Sequence, residues 1–191
     1  SEHLPPALAS FLRDHPQVNI DAEELESIGI AEAIAAGRAD IGIAVEQTLP
    51  SGIERFPFRD DRLVLAVSVQ DDLAHRRVVD FGAVTTRDFV GLATASALQS
   101  HLATQAARLG ARLRFRARLR DFDAVCRLVA AGVGIAVIPE AAAKRCARVM
   151  AIKSVRIRDA WATRRLAICV RNLKALPRPA QQLVAHLRGG D

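Results

Sequence analysis

The tetrapeptide Gly-Ile-Ala-Val occurs twice in this chain, at residues 42–45 and 134–137. Each copy follows shortly after a glycine suited to end a helix, Gly37 before the first and Gly132 before the second. An apolar run without polar alternation is typical of a strand in a parallel sheet that helices cover on both faces. The repeated tetrapeptide therefore predicts two buried strands in similar surroundings.

The elements before the first copy alternate between helix and strand. Residues 4–12 place apolar side chains at helical spacing, and Pro16 ends that helix. Residues 18–23 alternate between apolar and polar types, which predicts a half-exposed strand. Ser27 is placed to cap a second helix, which leads into the buried strand.

The second half of the chain repeats this alternation. Residues 89–93 predict a buried strand, and residues 112–120 predict a strand with arginine at every second position. Between them, Ser96 and Gln99 have the spacing of a capping box, in which each side chain bonds the other residue's backbone amide. A further helix begins near Asp121. Two similar α/β lobes follow from this order.

Two further strands are expected to run between the lobes, at residues 62–69 and 165–170. The first lobe would comprise residues 1–67 with 169–191, and the second residues 68–168. The predicted fold is α/β, with two Rossmann-like subdomains joined by two crossing strands and a cleft beside them. Ligands of open α/β sheets bind beyond the carboxyl ends of the strands, so helix amino-termini should line that cleft.

Charge is distributed unevenly along the chain. Residues 1–100 hold 8 Lys and Arg against 16 Asp and Glu, whereas residues 101–191 hold 19 against 5. A basic half is compatible with nucleic acid, an anionic ligand or an acidic surface on a partner or on the same chain. Aromatic residues make up only 4% of the chain, which argues against stacking on single-stranded nucleic acid.

The arginine-rich strand at residues 112–120 has two interpretations. Clustered arginine neutralises phosphates, which points to DNA. Charged side chains also protect the edge strand of a sheet from mispairing, and we favour this second interpretation. A third hypothesis pairs the basic lobe of one subunit with the acidic lobe of another.

The sequence contains no recognised pattern for catalysis, metal binding or cofactor binding. The five histidines have no Ser or Cys nucleophile at a recognised spacing, and neither G-x-x-x-x-G-K-[ST] nor G-x-G-x-x-G occurs. The paired carboxylates at 60–61 and 71–72 are typical of solvated turns. Cys126, Cys146 and Cys169 are scattered and odd in number, which fits a reducing compartment such as the cytoplasm. We predict no enzyme, no cofactor, no metal and no membrane span.

A series of stretches covering essentially the whole chain resembles the regulatory domain of LysR-type transcriptional regulators. The stretches lie in order at residues 4–11, 15–16, 18–20, 37–43, 58–65, 128–139 and 161–166. The resemblance implies the type-2 periplasmic-binding-protein-like fold, with a small-molecule effector in the cleft and a homodimer or homotetramer as the assembly. It also implies that DNA is bound only through an amino-terminal winged helix-turn-helix, which is absent from this chain.

An alternative function is kept open, that of a solute-binding protein of a transporter, which would share the fold. The lack of a visible leader and the unpaired cysteines count against it. An upstream winged helix-turn-helix in the gene would favour the regulator, whereas a signal peptide would favour the transporter protein.

The candidate effector-binding residues divide between the lobes. Ser27 and Ser96 each stand at a predicted helix start, where free amides attract anions, although both are also ordinary caps. The resemblance implies that both face a small, anionic effector, together with the rest of the second helix start. Phe122 and Val45 are further candidates for which core packing is the alternative. The remaining candidates are Ala95, Ala97, Leu98 and Gln99.

Overall fold

The computed structural model describes residues 4–23, 25, 27–93 and 96–189. The helices are α1 (Leu4–Asp14), α2 (Ser27–Ala35), α3 (Ala97–Arg108), α4 (Phe122–Ala130), α5 (Glu140–Cys146) and α6 (Arg178–Gly189). The strands are β1 (Gly42–Val45), β2 (Glu54–Ser68), β3 (Val78–Val79), β4 (Asp88–Leu92), β5 (Arg114–Leu119), β6 (Ala136–Pro139), β7 (Ile152–Ile157) and β8 (Thr163–Val170).

The chain divides into two compact units. Unit 1 comprises residues 1–60 and 164–191, and unit 2 comprises residues 61–163. Strand β2 contributes its first seven residues to unit 1 and the rest to unit 2. Among the described residues, no helix is both long and apolar enough to cross a bilayer.

Unit 1 is built around strand β8, whose alternate side chains serve two separate cores. Ala167 and Cys169 pack with Ile34 of α2. Ile168 and Val170, on the opposite face, pack with Phe11 of α1 and with three residues of α6, Leu183, Val184 and Leu187. The period of two along a strand is what lets one strand supply both layers. Unit 1 is therefore a helix–sheet–helix sandwich.

Strand β1 pairs with β8 in antiparallel orientation, with Gly42 opposite Cys169. The prediction of a parallel strand was therefore wrong for this copy of the tetrapeptide. The predicted strand at residues 18–23 was also wrong, because these residues form no ladder with any described strand. Alternation alone does not make a strand, since the backbone must also find a partner to which it can hydrogen bond.

Unit 2 contains the parallel arrangement that the sequence predicted. Strands β4 and β5 pair in parallel, and Phe89 of β4 forms a parallel bridge with Ile135 just before β6. The bridge is held by two backbone hydrogen bonds, from Val90 N–H to the Ile135 carbonyl at 2.8 Å and from Ile135 N–H to the Asp88 carbonyl at 2.9 Å. A Cβ on Gly134 would lie 2.6 Å from the Asp88 carbonyl oxygen, so this approach requires glycine.

The remaining strands of unit 2 complete its core. β2 pairs antiparallel with both β6 and β7, and β7 pairs in parallel with β3. Helix α5 and strand β7 were not predicted. Charged residues alternate irregularly with the buried Ile152, Val155 and Ile157, so β7 lacks a clear period of two. The paired carboxylates at 60–61 lie within β2 rather than in a turn, whereas Asp71 does begin a turn and accepts a hydrogen bond from Leu73 N–H.

Candidate functional site

In unit 2, two helices begin where neighbouring parallel strands end. Helix α3 follows β4, and α4 follows β5. The two strand ends are tied together by a hydrogen bond of 2.8 Å from Ala93 N–H to the Leu119 carbonyl. The amino-termini of α3 and α4 therefore leave the same edge of the sheet. Such an edge gathers free amide donors and the positive ends of two helix dipoles.

Ser96 caps α3, as predicted. Its Oγ accepts a hydrogen bond of 3.3 Å from Gln99 N–H, and its backbone is extended. The other half of the predicted capping box does not form, because Ser96 N–H donates to the Ala93 carbonyl instead. The serine side chain is half-buried, so its hydroxyl lies at the surface of the strand–helix turn.

The side chain of Gln99 points into the interior of unit 2 and does not accept a hydrogen bond from Ser96 N–H. Only 6% of the residue is exposed. A Cβ on Gly91 would lie 2.8 Å from Gln99 Nε2 and 2.6 Å from a ring carbon of Phe115, so the amide packs over the bare backbone of β4. Leu98 is likewise buried, with 8% exposed, and belongs to the core of unit 2. Of the described candidates at this helix start, residues 96–99, Ser96 and Ala97 keep partial exposure.

Phe122 is the first residue of α4 and is half-buried against the core of unit 2. The residue before it, Asp121, caps the helix by accepting a hydrogen bond of 2.8 Å from Ala124 N–H. Two residues after Asp121, Asp123 pairs with Arg145 of α5, which holds the pKa of the Asp123 carboxyl below its usual value. The amino-terminus of α4 thus carries its own carboxylates, whereas the first turn of α3 contains no acidic residue.

In unit 1, Ser27 and Val45 lie together. Ser27 is the first residue of α2, and its Oγ accepts a hydrogen bond of 3.3 Å from Val45 N–H at the end of β1. The serine therefore joins the helix start to the strand end, a different role from the simple cap that the sequence predicted. Both side chains are half-buried.

Ile28, which follows Ser27 in the first turn of α2, was not among the residues predicted from the sequence. Its side chain is 64% exposed, although the residue is large and apolar. The buried face of α2 is made by Ala31, Ala33 and Ile34. Helical spacing from Ile34 would have placed Ile28 off this face, which is the signal that was available. An exposed isoleucine beside a helix amino-terminus adds apolar surface to the Ser27 site.

Ala95, the remaining candidate, lies outside the described residues, as does Thr94. The structure thus gathers the candidates into two groups, Ser27 with Val45 in unit 1, and Ser96 with Ala97 beside Phe122 in unit 2. No described cluster of three or more His, Cys, Asp or Glu side chains has the arrangement of a metal site.

The three cysteines are free and buried, as predicted for Cys126 and Cys169. Burial raises the pKa of all three thiols, and that of Cys169 to about 11. Cys146 Sγ also donates a hydrogen bond of 3.6 Å to Asp123 Oδ1 of α4. A thiol must ionise to act as a nucleophile, so these environments suppress thiol chemistry at neutral pH.

The arginines of β5 lie on its exposed face, as the alternation predicted. Residues 112, 114, 116, 118 and 120 are exposed, whereas Leu113, Phe115, Ala117 and Leu119 are partly buried against the core. Within the described sheet, β5 pairs only with β4 and is therefore an edge strand. Arg118 lies over the ring of Phe115, at 4.4 Å from its centroid.

Parallel strands that deliver helix amino-termini to one sheet edge, in a chain of two α/β units, agree with the type-2 periplasmic-binding-protein-like fold that the resemblance implies. The family comparison agrees with this fold: residues 1–190 match the LysR substrate binding domain. The chain belongs to that family.

The curated relatives are HTH-type transcriptional regulators. The chain is 24% identical over 140 residues to the uncharacterized HTH-type transcriptional regulator YwbI of Bacillus subtilis, an alignment that covers 73% of this chain and 46% of YwbI. The chain spans about half the length of the curated relatives it matches.

Two solved structures show the same fold. The regulatory domain of CcmR from Synechocystis PCC6803, in complex with 2-PG, has a TM-score of 0.79 and 19% identity, over 97% of this chain and 89% of that one. The effector binding domain of QuiR, in complex with shikimate, has a TM-score of 0.72 and 15% identity, over 97% and 88%.

Proposed function

We propose that this chain is the effector-binding domain of a LysR-type transcriptional regulator and that its effector is a small anionic metabolite. The observation that carries the proposal is the Ser96-capped amino-terminus of α3 at the carboxyl end of β4. Free backbone amides at such a terminus bind anionic groups. The family assignment supports a regulator, and the complexes of related domains with shikimate and 2-PG support a small ligand.

The charges around the two helix starts of unit 2 favour one orientation of the ligand. The first turn of α3 carries no acidic residue, whereas α4 begins with Asp121 and Asp123. An anionic group is therefore stabilised at α3 and repelled at α4. Phe122 offers an apolar surface beside it. We assign the anionic group of the effector to Ser96 and Ala97, and its carbon skeleton to Phe122.

In unit 1, Ser27 with Val45 and the exposed Ile28 form the second group of contacts that we propose for the effector. The prediction that the effector lies between the lobes stays a prediction. In the whole protein, effector binding would change how a helix-turn-helix domain outside this chain binds DNA, as the HTH-type relatives suggest. The effector shifts that equilibrium only if its affinity differs between the two states.

Calorimetric titration with a panel of carboxylates, including benzoate and shikimate, tests this proposal. A ligand that binds the wild-type chain should bind Ser96→Ala about tenfold more weakly, because a hydrogen bond to a charged group contributes about 1.5 kcal/mol or more. Ser100→Ala, on the same helix one turn further on, is the matched control and should bind normally. Equal binding by all three proteins would exclude Ser96 from the site.

We also propose that the chain assembles through unlike units of two copies. Unit 2 carries 17 Lys and Arg against 9 Asp and Glu, whereas the rest of the chain carries 10 against 12. Asp21 in unit 1 and Arg120 in unit 2 are both exposed. Asp21→Arg and Arg120→Asp should each weaken dimers in sedimentation at low salt, and the double variant should recover them. Dimers whose salt sensitivity is unchanged by the double reversal would refute this arrangement.

A further inference from the structure

A polar pocket with a volume of about 350 Å³ lies within unit 2, away from the helix amino-termini discussed above. It is lined by side chains from the amino-terminal ends of β4 and β5, by the end of β2 and by the loop between α4 and β6. Its charged residues are Asp71, Arg87, Asp88, Arg114 and Arg116. Pockets for small ligands start at about 300 Å³, so this one suits a small metabolite and not a nucleotide.

In the first half of the pocket, negative charges outnumber the positive one. Arg87 bonds Asp71 at 2.6 Å and Asp72 at 2.9 Å, so one guanidinium is held by two carboxylates. These bonds raise the pKa of Arg87 and lower that of Asp72. The positive charge of Arg87 is therefore offset by two carboxylates and leaves no surplus to attract an anion.

The second half has the opposite imbalance. The single carboxylate of Asp88 pairs with two guanidinium groups, those of Arg114 and Arg116, the latter at 3.4 Å. The Asp88 side chain is 25% exposed, whereas those of Arg114 and Arg116 are 71% and 58% exposed. One negative charge thus faces two positive ones at the mouth of the pocket.

Most of the donors of these two arginines remain available. A guanidinium presents several N–H donors in a planar fork that matches carboxylate and phosphate groups. Arg114 contacts Asp88 through Nε, and Arg116 contacts it through one terminal nitrogen. Among the described residues, no further hydrogen bond or ion pair engages either group. Both side chains are exposed, contact Asp88 and line the pocket, so both reach the same opening.

We propose that unit 2 carries a second binding site in this pocket, in which Arg114 and Arg116 bind a small organic anion through its carboxylate or phosphate group. The site lies at the amino-terminal ends of β4 and β5, whereas α3 and α4 begin beyond the carboxyl ends of the same strands. A five-residue strand separates the two ends by about 15 Å. The second ligand therefore has its own residues and does not share those of the effector.

Substitution of Asp88 and substitution of an arginine should change the affinity for the anion in opposite directions. Removing one of the arginines takes away an attractive charge, whereas neutralising Asp88 removes the carboxylate that competes with the ligand. Arg116→Gln should weaken anion binding about tenfold, since a charged hydrogen bond is lost. Asp88→Asn should strengthen it. Arg118→Gln, on the same exposed face but outside the pocket lining, is the matched control and should leave the affinity unchanged.

The experiment is an NMR titration of the full 191-residue chain with inorganic phosphate and, separately, with succinate. Sodium chloride keeps the ionic strength constant. Backbone amide shifts at Gly134 and Arg116 report the pocket, and those at Ala97 report the α3 terminus. Shifts confined to the pocket with phosphate alone assign a phosphate group, and with succinate alone a carboxylate; either result supports the site. All three substituted side chains are partly or largely exposed, and circular dichroism checks that each variant folds.

Several results would overturn the proposal. The absence of saturable shifts at Gly134 and Arg116 with both anions would remove the site. Equal affinities for the wild type and Arg116→Gln would show that the arginine does not bind the anion. A loss in Arg118→Gln as large as that in Arg116→Gln would indicate diffuse attraction by the basic strand and no pocket. Weaker binding by Asp88→Asn would assign Asp88 a supporting role and contradict the competition described above.

Discussion

Gly42 shows at the scale of one residue why the repeated tetrapeptide begins with glycine. A Cβ there would lie 2.4 Å from Ile30 Cγ2 and 2.8 Å from Cys169 Sγ. Gly134, which begins the second copy, is equally restricted, but there the obstacle is the backbone of Asp88. The two glycines therefore exclude a Cβ for different reasons. At Gly42 the obstacle is the side chains of a helix and a strand, and at Gly134 it is the backbone of a neighbouring strand.

Gly42→Ala should destabilise the chain by about 1–3 kcal/mol, because the added methyl group overpacks the contact between β1 and α2. The free energy of unfolding in urea measures this loss. Gly189→Ala is the control, since a Cβ at Gly189 meets no atom within 4 Å. A stability change below about 0.5 kcal/mol for Gly42→Ala would contradict the packing described here.

Cys169 makes the stability of the chain sensitive to alkaline pH. Burial raises the pKa of its thiol to about 11 in the folded chain, from 9.0. The unfolded chain therefore loses this proton first as the pH rises, so the thiol's contribution is fully present below about pH 9 and is lost towards pH 11. The loss amounts to about 2–3 kcal/mol.

Urea unfolding at intervals between pH 8 and pH 10.5 checks this expectation. Cys169→Ala is less stable at every pH because it leaves a cavity, but its stability should fall less steeply over this range. The diagnostic quantity is thus the slope of the free energy of unfolding against pH, and not the free energy at any one pH. Parallel curves for the two proteins would show that Cys169 titrates alike in the folded and unfolded chains.

At the scale of the element, helix α4 depends on its cap. Asp121→Ala removes the acceptor of the Ala124 N–H bond and should cost about 1 kcal/mol of stability. Asp121→Asn keeps a side-chain oxygen at the same place and should retain most of it. Thermal unfolding followed by circular dichroism compares the three proteins. A cost for the asparagine variant equal to that for alanine would assign the effect to the charge of Asp121 and not to its hydrogen bond.

The sequence predicted those elements whose patterns are complete within a few residues. The edge strand β5 was predicted from its strict alternation, and the start of α4 was predicted from Asp121 and the apolar face that follows. Residues 18–23 have an equally clean alternation and form no strand, because a ladder depends on a partner that local sequence does not specify. Likewise, β7 was not predicted. The burial of its side chains depends on packing beside β2 and β3 and does not follow a period of two.

The candidate site was predictable where capping chemistry determines it. Ser96 was found because a serine before an apolar helical pattern has one dominant role. The orientation of Gln99 was not predictable, since the space it fills is created by Gly91 on another element. The polar pocket was missed for the same reason: alternation showed the arginines, whereas Asp88 and Gly134 approach them only in the folded unit.

At the scale of the whole molecule, the two units have cores of different kinds. Unit 2 holds one continuous cluster that joins β2, the parallel strands and three helices. Unit 1 holds two smaller clusters on opposite faces of β8. A smaller core buries less apolar surface per residue ordered, so unit 1 should be the less stable unit.

The single tryptophan makes this difference measurable. Trp161 belongs to unit 2 and packs edge-on against Phe81, with ring centroids 5.0 Å apart. In urea, far-ultraviolet circular dichroism should begin to fall before tryptophan emission changes, because the helices of unit 1 unfold first. Phe81→Leu should shift the emission transition to lower urea and leave the early dichroism change in place. Coincident transitions for both probes in the wild type would show that the chain unfolds as one cooperative body.

The burial of all three cysteine thiols has a practical consequence. Maleimide dyes react with accessible thiols, so the folded wild-type chain should remain almost unlabelled. Cysteines introduced at Arg13 and Val149, exposed positions on unit 1 and unit 2, would then take up a donor and an acceptor fluorophore without removal of any natural cysteine. The efficiency of energy transfer depends on the distance between the two dyes. Measuring it before and after each metabolite is added would show directly whether the separation of the two units changes.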